Sequence, residues 1–255
     1  MNTFANLTSD MLSNIMIGVE SLTSYTGKSN HVASVLFSWR PFLDALWAAV
    51  AKSNSALRQG RASRHCIWVK HIKASVSWLA LSMQLSPGAL SHEWSMAHFT
   101  ADASDLTITL DASPWGLGGI LSQHGAITHY FSTPIGPDDE AIHQQEIGKS
   151  DGQQVWECLC VLVAMRAWVD VWAPRRSTVT VRSDNMSALA LASKLKSAAG
   201  SNLIGRELAL LYTEACWEPR VVEHLPGVAN GLSDSLSRLA EPGRSYTVPP
   251  AQSHL

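Results

Sequence analysis

The chain has 255 residues, of which 46% are hydrophobic and 16% are charged, and its formal net charge is −2 at pH 7. This length and apolar content predict a globular protein with a sizeable core, in one large domain or two small ones. The longest apolar stretch, 156–172, contains Glu157, Arg166 and Asp170, so neither a membrane-spanning helix nor a membrane partner is expected.

Neither the first residues nor the cysteines indicate secretion. The opening "MNTFANLTSDMLSN" lacks the basic segment and apolar core of a secretory signal. The four cysteines form neither a CxxC pair nor a disulfide framework, which suits a reducing compartment. We therefore expect an intracellular protein, in the cytoplasm or the nucleus.

Residues 1–100 are predicted to be mostly helical, and they contain a basic segment. No Asp or Glu occurs between Asp44 and Glu93, whereas six Lys and Arg residues do. Such a segment could attract a polyanion, and Arg61, Arg64 and Lys70 are our candidates for contacts with nucleic acid. A solvated helical face explains the same charges equally well.

The region that follows, 106–240, is predicted to form a second domain that begins with three strands. Alternation over 107–110 and the later glycines predict strands at about 106–112, 116–124 and 126–132, joined as hairpins. The polar segment 134–152, which contains Pro and Gly, is predicted to be a loop.

The rest of the domain alternates between helices and strands. Helices are predicted at 153–172, 186–195, 201–217 and 230–240, strands at 177–185 and 219–227, and a flexible tail at 241–255. Hairpins followed by strand–helix crossovers predict an α/β fold, with a mixed five-stranded sheet flanked by helices.

Four acidic residues occupy positions where one site could collect them. They are Asp111, Glu157, Asp184 and Asp234. If the first and fourth strands are neighbours, Asp111 and Asp184 lie side by side. Clustered carboxylates repel one another, so the cluster suggests a cation, and all-oxygen ligands select Mg²⁺ or Mn²⁺. Such a site suits two-metal phosphoryl chemistry.

Each acid also has a structural explanation when it is considered alone. Asp111 could form a turn, Glu157 could favour a helix N-terminus, and Asp184 and Asp234 could serve as a helix cap or a first-turn acid. The hypothesis therefore depends on the order and spacing of the four acids. At this level several metal-dependent nuclease folds stay open.

Four segments resemble, in order, the four motifs of the ribonuclease H domain attached to retroelement reverse transcriptases. They are "TLDASPWGLGGILSQ", "WECLCVLVAMRAW", "VRSDNMSALAL" and "EHLPGVANGLSDSLSRL". The last contains every letter of the pattern H-x-P-G-x-x-N-x-x-x-D-x-L-S-R, from His224 to Arg238. Upstream, "LTSYTGKSNHVASVLFSWRPFLDALW" resembles the segment that joins the polymerase thumb to ribonuclease H in LTR and tyrosine-recombinase elements.

The resemblance implies a ribonuclease H-like fold and hydrolysis of the RNA strand of RNA/DNA hybrids, with 5′-phosphate and 3′-hydroxyl products. It assigns two Mg²⁺ ions, or Mn²⁺, to Asp111, Glu157, Asp184 and Asp234, with Asp111 bridging both metals. His224 would lie at the rim of the site as a proton-transfer or product-release group. A structural histidine bonded to the closing loop is the alternative that we favour at this position.

Further candidates for substrate contacts are Gly116, Gly118, Gly119 and Asn185. The glycines could let the backbone approach the minor groove of a hybrid and contact 2′-hydroxyls, or they could simply be hairpin residues. Asn185 could contact a sugar or phosphate, or it could cap the helix that follows.

Two features depart from the resemblance. The Tyr-x-Asp-Asp motif of a polymerase palm does not occur in the 255 residues, so we expect the polymerase domains of a parent retroelement as partners. The 134–152 insertion is long and could supply a rival ligand, Glu146. A catalytically inactive remnant that binds nucleic acid or packs on a polymerase is the main alternative. Another nuclease of the same broad fold, such as an exonuclease or an integrase-type enzyme, is a third.

Overall fold

A computed structural model describes residues 2–60, 65–84, 106–173, 179–197, 200–215, 219, 221–243 and 245. The chain divides into two compact units, Met1–His92 and Glu93–Leu255, which we call the N-terminal and C-terminal units. None of the helices in the described ranges combines the length and the apolar character needed to cross a membrane.

The N-terminal unit is mostly helical, as predicted. Its elements are α1 (Asn2–Ser13), β1 (Met16–Gly18), α2 (Val19–Ala33), α3 (Arg40–Arg58), β2 (Cys66–Trp68) and α4 (Lys73–Gln84). The two short strands pair antiparallel, with Ile17 opposite Ile67. Pro41 lies in the first turn of α3, where its missing amide hydrogen leaves no helical bond unmade. On α3 the buried Leu43, Leu46 and Val50 recur at helical spacing and form part of the core.

The described part of the C-terminal unit begins with three strands and continues with helices and crossover strands. Its elements are β3 (Leu106–Ala112), β4 (Gly116–Gln123), β5 (Ala126–Pro134), α5 (Pro137–His143), α6 (Gln153–Ala167), α7 (Val169–Trp172), β6 (Val179–Ser183), α8 (Met186–Lys194), α9 (Asn202–Ala215), β7 (Val221–His224) and α10 (Gly231–Ser237). The predicted helix 153–172 is therefore interrupted at Trp168, between α6 and α7.

The five strands of this unit form one mixed sheet in the order β5-β4-β3-β6-β7. The β3–β4 and β4–β5 pairs are antiparallel, whereas β3–β6 and β6–β7 are parallel. Between β4 and β5 the two-residue turn His124–Gly125 has positive φ at both positions, as tight hairpins require. The predicted mixed five-stranded sheet flanked by helices is confirmed, with β3 at its centre.

Helices pack on this sheet and enclose its core. Helix α6 packs against β3 and β4 and also against α8 and α9, which explains why ten of its 15 residues are buried. Helix α10 packs on β3, β4 and β5. Because successive strand residues point to opposite faces, Asp111 and Gly118 face α10, whereas Phe131 contacts Trp168 on the other face.

The prediction of a loop over 134–152 was wrong, because the segment contains α5 and a 3₁₀ turn at Ser150–Gly152. Pro137 lies in the first turn of α5, and the Asp139 carboxylate accepts the Gly136 amide at 2.8 Å, which caps the helix. Polar composition concealed this helix, since its residues are half-buried or exposed and carry no apolar stripe.

Candidate metal centre

Three carboxylates meet at the end of the two central parallel strands. Oxygen atoms of Asp111, Glu157 and Asp184 all lie within 4.8 Å of one another. Asp111 is the next-to-last residue of β3 and Asp184 directly follows β6. Since these strands are parallel neighbours, their carboxyl ends are adjacent, and α6 adds Glu157 from its second turn. The expectation that Asp111 and Asp184 lie side by side is confirmed.

Two of these acids are buried, which changes their protonation. Asp111 is 5% exposed and Glu157 is 4% exposed. Burial, reinforced by the charges of Asp234 and Asp184 and opposed by a hydrogen bond from Ser237, raises the pKa of Asp111 to about 6. Burial, together with the charge of Asp111, raises the pKa of Glu157 to about 8. The hydrogen bonds and charges around the two acids therefore do not offset the cost of burying their negative charge.

The donor atoms of the group fit a hard divalent cation. All three ligands are carboxylates, and within the described part of the chain the buried Oε2 atom of Glu157 has no hydrogen-bond partner. A buried oxygen without a donor is costly, and a cation would satisfy it. Asp111, Glu157 and Asp184 could thus hold a metal ion, and oxygen ligands of this kind suit Mg²⁺ or Mn²⁺.

The fourth predicted ligand, Asp234, lies near this group but is not part of it. Its side chain, on α10, is 39% exposed and pairs with Arg238, with 2.7 Å between Asp234 Oδ1 and Arg238 Nε. Its charge still raises the pKa of Asp111. The structure therefore brings three of the four predicted ligands together. The fourth, Asp234, is paired with Arg238 instead.

His224 and Asn185 lie beside Asp184. His224 is the exposed last residue of β7, and its ring Nε2 donates to the backbone carbonyl oxygen of Asp184 at 3.1 Å. The Oδ1 atom of Asn185 accepts the amides of Ser187 (2.9 Å) and Ala188 (3.1 Å), so Asn185 caps α8. The predicted contacts of both residues with substrate stay predictions.

The three glycines of β4 have a packing role. A Cβ atom at Gly118 would lie 2.5 Å from the Ser233 carbonyl oxygen and 2.6 Å from the Ser237 nitrogen, and one at Gly116 would lie 2.7 Å from the Ser237 carbonyl oxygen. A Cβ atom at Gly119 would overlap the ring of Phe131. Glycine is thus required at Gly116 and Gly118 for the close approach of α10, and at Gly119 for the Phe131 ring of the neighbouring strand to lie over β4. The proposed contact with 2′-hydroxyls stays a prediction.

The remaining candidates lie in other parts of the chain. Lys70 is exposed in the N-terminal unit, with its Nζ 5.6 Å from the centre of the Trp68 ring, and Arg61 and Arg64 fall outside the described residues. Glu146 forms an ion pair with Lys149 at 2.6 Å. It is not a member of the acidic group found among the described residues.

Three further residues orient the buried acids, and the sequence reasoning did not single them out. Asn230 Nδ2 donates to Asp111 Oδ1 (3.2 Å) and to the Leu110 carbonyl oxygen (3.1 Å). Ser237 Oγ donates to Asp111 Oδ2 at 2.6 Å, and Gln153 Nε2 donates to Glu157 Oε1 at 3.0 Å. Asn230 and Ser237 are fixed letters of the H-x-P-G motif, which was the available signal.

No protein-family model and no curated protein matches this chain. Among solved structures, an RNase H1 from the halophilic archaeon Halobacterium salinarum NRC-1 matches with 16% identity and a TM-score of 0.39, over 53% of this chain and 96% of that one. The foamy viral protease-reverse transcriptase dRH in complex with ds DNA matches with 11% identity and a TM-score of 0.31.

The second match covers 84% of this chain, which spans 35% of the length of the viral protein. Similarities this distant transfer no activity to the chain. The assignment of a ribonuclease H-like fold therefore depends on the strand order and directions of the sheet described above.

Proposed function

We propose that the C-terminal unit is a metal-dependent ribonuclease H that cuts the RNA strand of RNA/DNA hybrids internally. One observation carries this proposal: oxygen atoms of Asp111, Glu157 and Asp184 lie within 4.8 Å of one another, and among the described residues the buried Oε2 of Glu157 has no hydrogen-bond partner. These acids belong to the segments that resemble the ribonuclease H motifs. A structural role does not explain two buried carboxylates that lack a cationic partner.

Asp111, Glu157 and Asp184 would hold one cation, and Asp111 with Asp234 would hold a second. Bound there, two Mg²⁺ or Mn²⁺ ions would activate water and stabilise the leaving oxygen of an in-line displacement. Ser237 and Asn230 hold the two oxygens of Asp111 by donating to them, and Gln153 holds Oε1 of Glu157. Oε2 of Glu157, which has no hydrogen-bond partner among the described residues, would then be available to a cation.

The raised pKa of Glu157 predicts that its protonation changes when a metal ion binds. With a pKa of about 8, this carboxyl group carries a proton at neutral pH in the metal-free chain. A cation would displace that proton to solvent, because the ligand must be ionised to bind. We therefore expect metal binding to release close to one proton per chain at pH 7.

We further propose that this unit belongs to a retroelement reverse transcriptase, whose polymerase domains would be its partners. The complete H-x-P-G-x-x-N-x-x-x-D-x-L-S-R pattern from His224 to Arg238 supports this origin. The thumb-like sequence ahead of the basic segment supports it as well. On this proposal the basic segment of the N-terminal unit would help to hold the hybrid.

The test is cleavage of an end-labelled RNA/DNA hybrid by the full chain in Mg²⁺ or Mn²⁺, with EDTA as a blank. Asp111→Asn and Glu157→Gln should each lower the cleavage rate by more than about 100-fold, since they remove metal ligands. Asp170→Asn is the matched control, because Asp170 is an exposed acid on α7 of the same unit. It should cut like the unmodified chain.

The other outcomes separate the alternatives. If the folded chain binds the hybrid but does not cut it, with either metal, the unit is a non-catalytic module. Equal cutting of duplex DNA would indicate another nuclease of the same broad fold. Cleavage that survives Asp111→Asn would refute the proposed site.

A further inference from the structure

Arg238 lies between two acids at the end of α10. Its Nε is 2.7 Å from Oδ1 of Asp234, one turn earlier, and its Nη1 is 3.6 Å from Oε2 of Glu241, three residues later. The Asp234 and Arg238 side chains are 39% and 33% exposed, whereas that of Glu241 is 16% exposed. One guanidinium therefore contacts two carboxylates, and only one of these was predicted to bind metal.

The charge of Arg238 also acts on the buried part of the site. It lowers the pKa of Asp111 and so opposes the effects of burial and of the neighbouring acids. The residue immediately before it, Ser237, donates directly to Asp111 Oδ2 at 2.6 Å. Arg238 therefore supplies positive charge at the edge of the acidic group.

We propose that Arg238 is a positioning residue that competes with a divalent cation for Asp234, and that Glu241 draws it away when the cation binds. The inference rests on the proposed function, since it assumes that Asp234 becomes a metal ligand. It explains why Asp234 lies outside the group of three carboxylates while the other predicted ligands already converge.

The Asp234–Arg238 ion pair is weak enough for a divalent cation to replace it, and the charge of Arg238 opposes that cation. An ion pair between partly exposed side chains is weak, so a divalent cation can displace the guanidinium. A fixed positive charge within a few ångströms of a cation site lowers the affinity of that site. A guanidinium that moves toward Glu241 relieves part of this repulsion and stays paired. Arg238 would thus set the metal concentration at which the site fills.

The experiment is calorimetric titration of the full chain with Mn²⁺ in the absence of nucleic acid. Arg238→Gln should bind the more weakly held ion about three- to tenfold more tightly, because the competing charge is gone. Glu241→Gln should weaken that ion by about two- to threefold, because Arg238 then remains on Asp234. The two substitutions should therefore change the affinity for Mn²⁺ in opposite directions.

Three further variants test the cause. Arg238→Lys keeps the charge and should bind Mn²⁺ nearly like the unmodified chain. In an Asp234→Asn background, Arg238→Gln should have a clearly smaller effect on binding, because only the influence of its charge on Asp111 remains. Arg166→Gln is the matched control: it breaks another Arg–Glu pair, with Glu207, and lies nine residues beyond Glu157 on α6, about 13 Å along the helix. It should leave Mn²⁺ binding unchanged.

The inference is overturned if the unmodified chain binds Mn²⁺ and Arg238→Gln binds it equally or more weakly. It is also overturned if the gain from Arg238→Gln is undiminished in the Asp234→Asn background. Failure of the unmodified chain to bind any Mn²⁺ has a different meaning. That result would refute the metal site of the proposed function, and the inference would fall with it.

Discussion

The described parts of the two units both bury hydroxyl groups, but they differ in whether they bury carboxylates. In the described part of the N-terminal unit, the buried polar side chains carry hydroxyl groups, and none of them carries a carboxylate. Thr26, Ser29 and Ser82 each donate to a carbonyl oxygen three or four residues earlier in their own helix. The C-terminal unit buries Asp111 and Glu157, whose hydrogen-bond donors include residues from other elements.

Burying these two kinds of polar group has different consequences for stability. A hydroxyl that bonds its own helix is satisfied wherever that helix packs. A buried carboxylate beside other carboxylates destabilises the fold, unless an added cation or proton neutralises it. Strongly raised pKa values in such a cluster mark a candidate functional site, and among the described residues this cluster lies in the C-terminal unit.

The largest expected effect is on the pH dependence of stability. The pKa values of Glu157 and Asp111 in the folded chain, about 8 and about 6, exceed their ordinary values of 4.5 and 3.8. The folded state therefore binds more protons than the unfolded state between those limits, and stability falls as the pH rises through them. In EDTA we expect the C-terminal unit to melt at least about 5 °C lower at pH 8 than at pH 5.

Two controls assign that effect to the acidic group. Glu157→Gln should remove most of the pH dependence, because the amide does not ionise. Excess Mg²⁺ at pH 8 should raise the melting temperature of the unmodified chain and raise that of Glu157→Gln by less, because this variant keeps Asp111 and Asp234 but loses one ligand. Equal melting temperatures at pH 5 and pH 8 in EDTA would contradict the prediction.

A pair of glycine substitutions should have opposite signs in the two units. Gly118→Ala places a methyl group 2.5 Å from the Ser233 carbonyl oxygen under α10, so it should lower the free energy of unfolding by about 3 kcal/mol. Gly27→Ala, inside α2 with no atom near its Cβ position, should raise it by about 1 kcal/mol. Denaturant unfolding measures both changes, and similar values would argue against close packing of α10.

The next effect concerns the donors to Asp111. Ser237→Ala leaves Oδ2 of a buried carboxylate without its donor and should lower the free energy of unfolding by about 1–3 kcal/mol. Ser235→Ala is the matched control, since this half-buried serine of α10 donates to the Gly231 carbonyl oxygen of its own helix. Its effect should be below about 0.5 kcal/mol. Thermal unfolding of both variants in EDTA at one pH decides the comparison.

The smallest effect is expected at Lys70 of the N-terminal unit. If the basic segment contacts phosphates, Lys70→Gln should weaken hybrid binding two- to threefold at low salt and reduce the salt slope by about one. Lys28→Gln removes the same charge from the exposed face of α2, outside that segment, and should change neither quantity. Fluorescence anisotropy in EDTA measures binding without cleavage. Equal effects of the two substitutions would indicate only a general loss of charge.

Sequence patterns predicted the elements whose periodicity is regular. The first strand of the sheet was expected at 106–112 and is Leu106–Ala112, because alternation and the following glycines mark both of its ends. The strand expected at 219–227 is only Val221–His224, since proline and glycine limit pairing at its end. Helix α5 was missed because it packs without an apolar stripe.

The identities of the four candidate ligands could be read from the sequence, because strand ends and motif letters are local features. The orientation of Asp111 could not, since its donors Asn230 and Ser237 are 119 and 126 residues away along the chain. Burial, which raises the pKa of Glu157, likewise arises only when α6 packs on the sheet. Local composition thus specified which side chains could bind a cation. Their distances, protonation and pairing depend on contacts that form only when distant segments fold together.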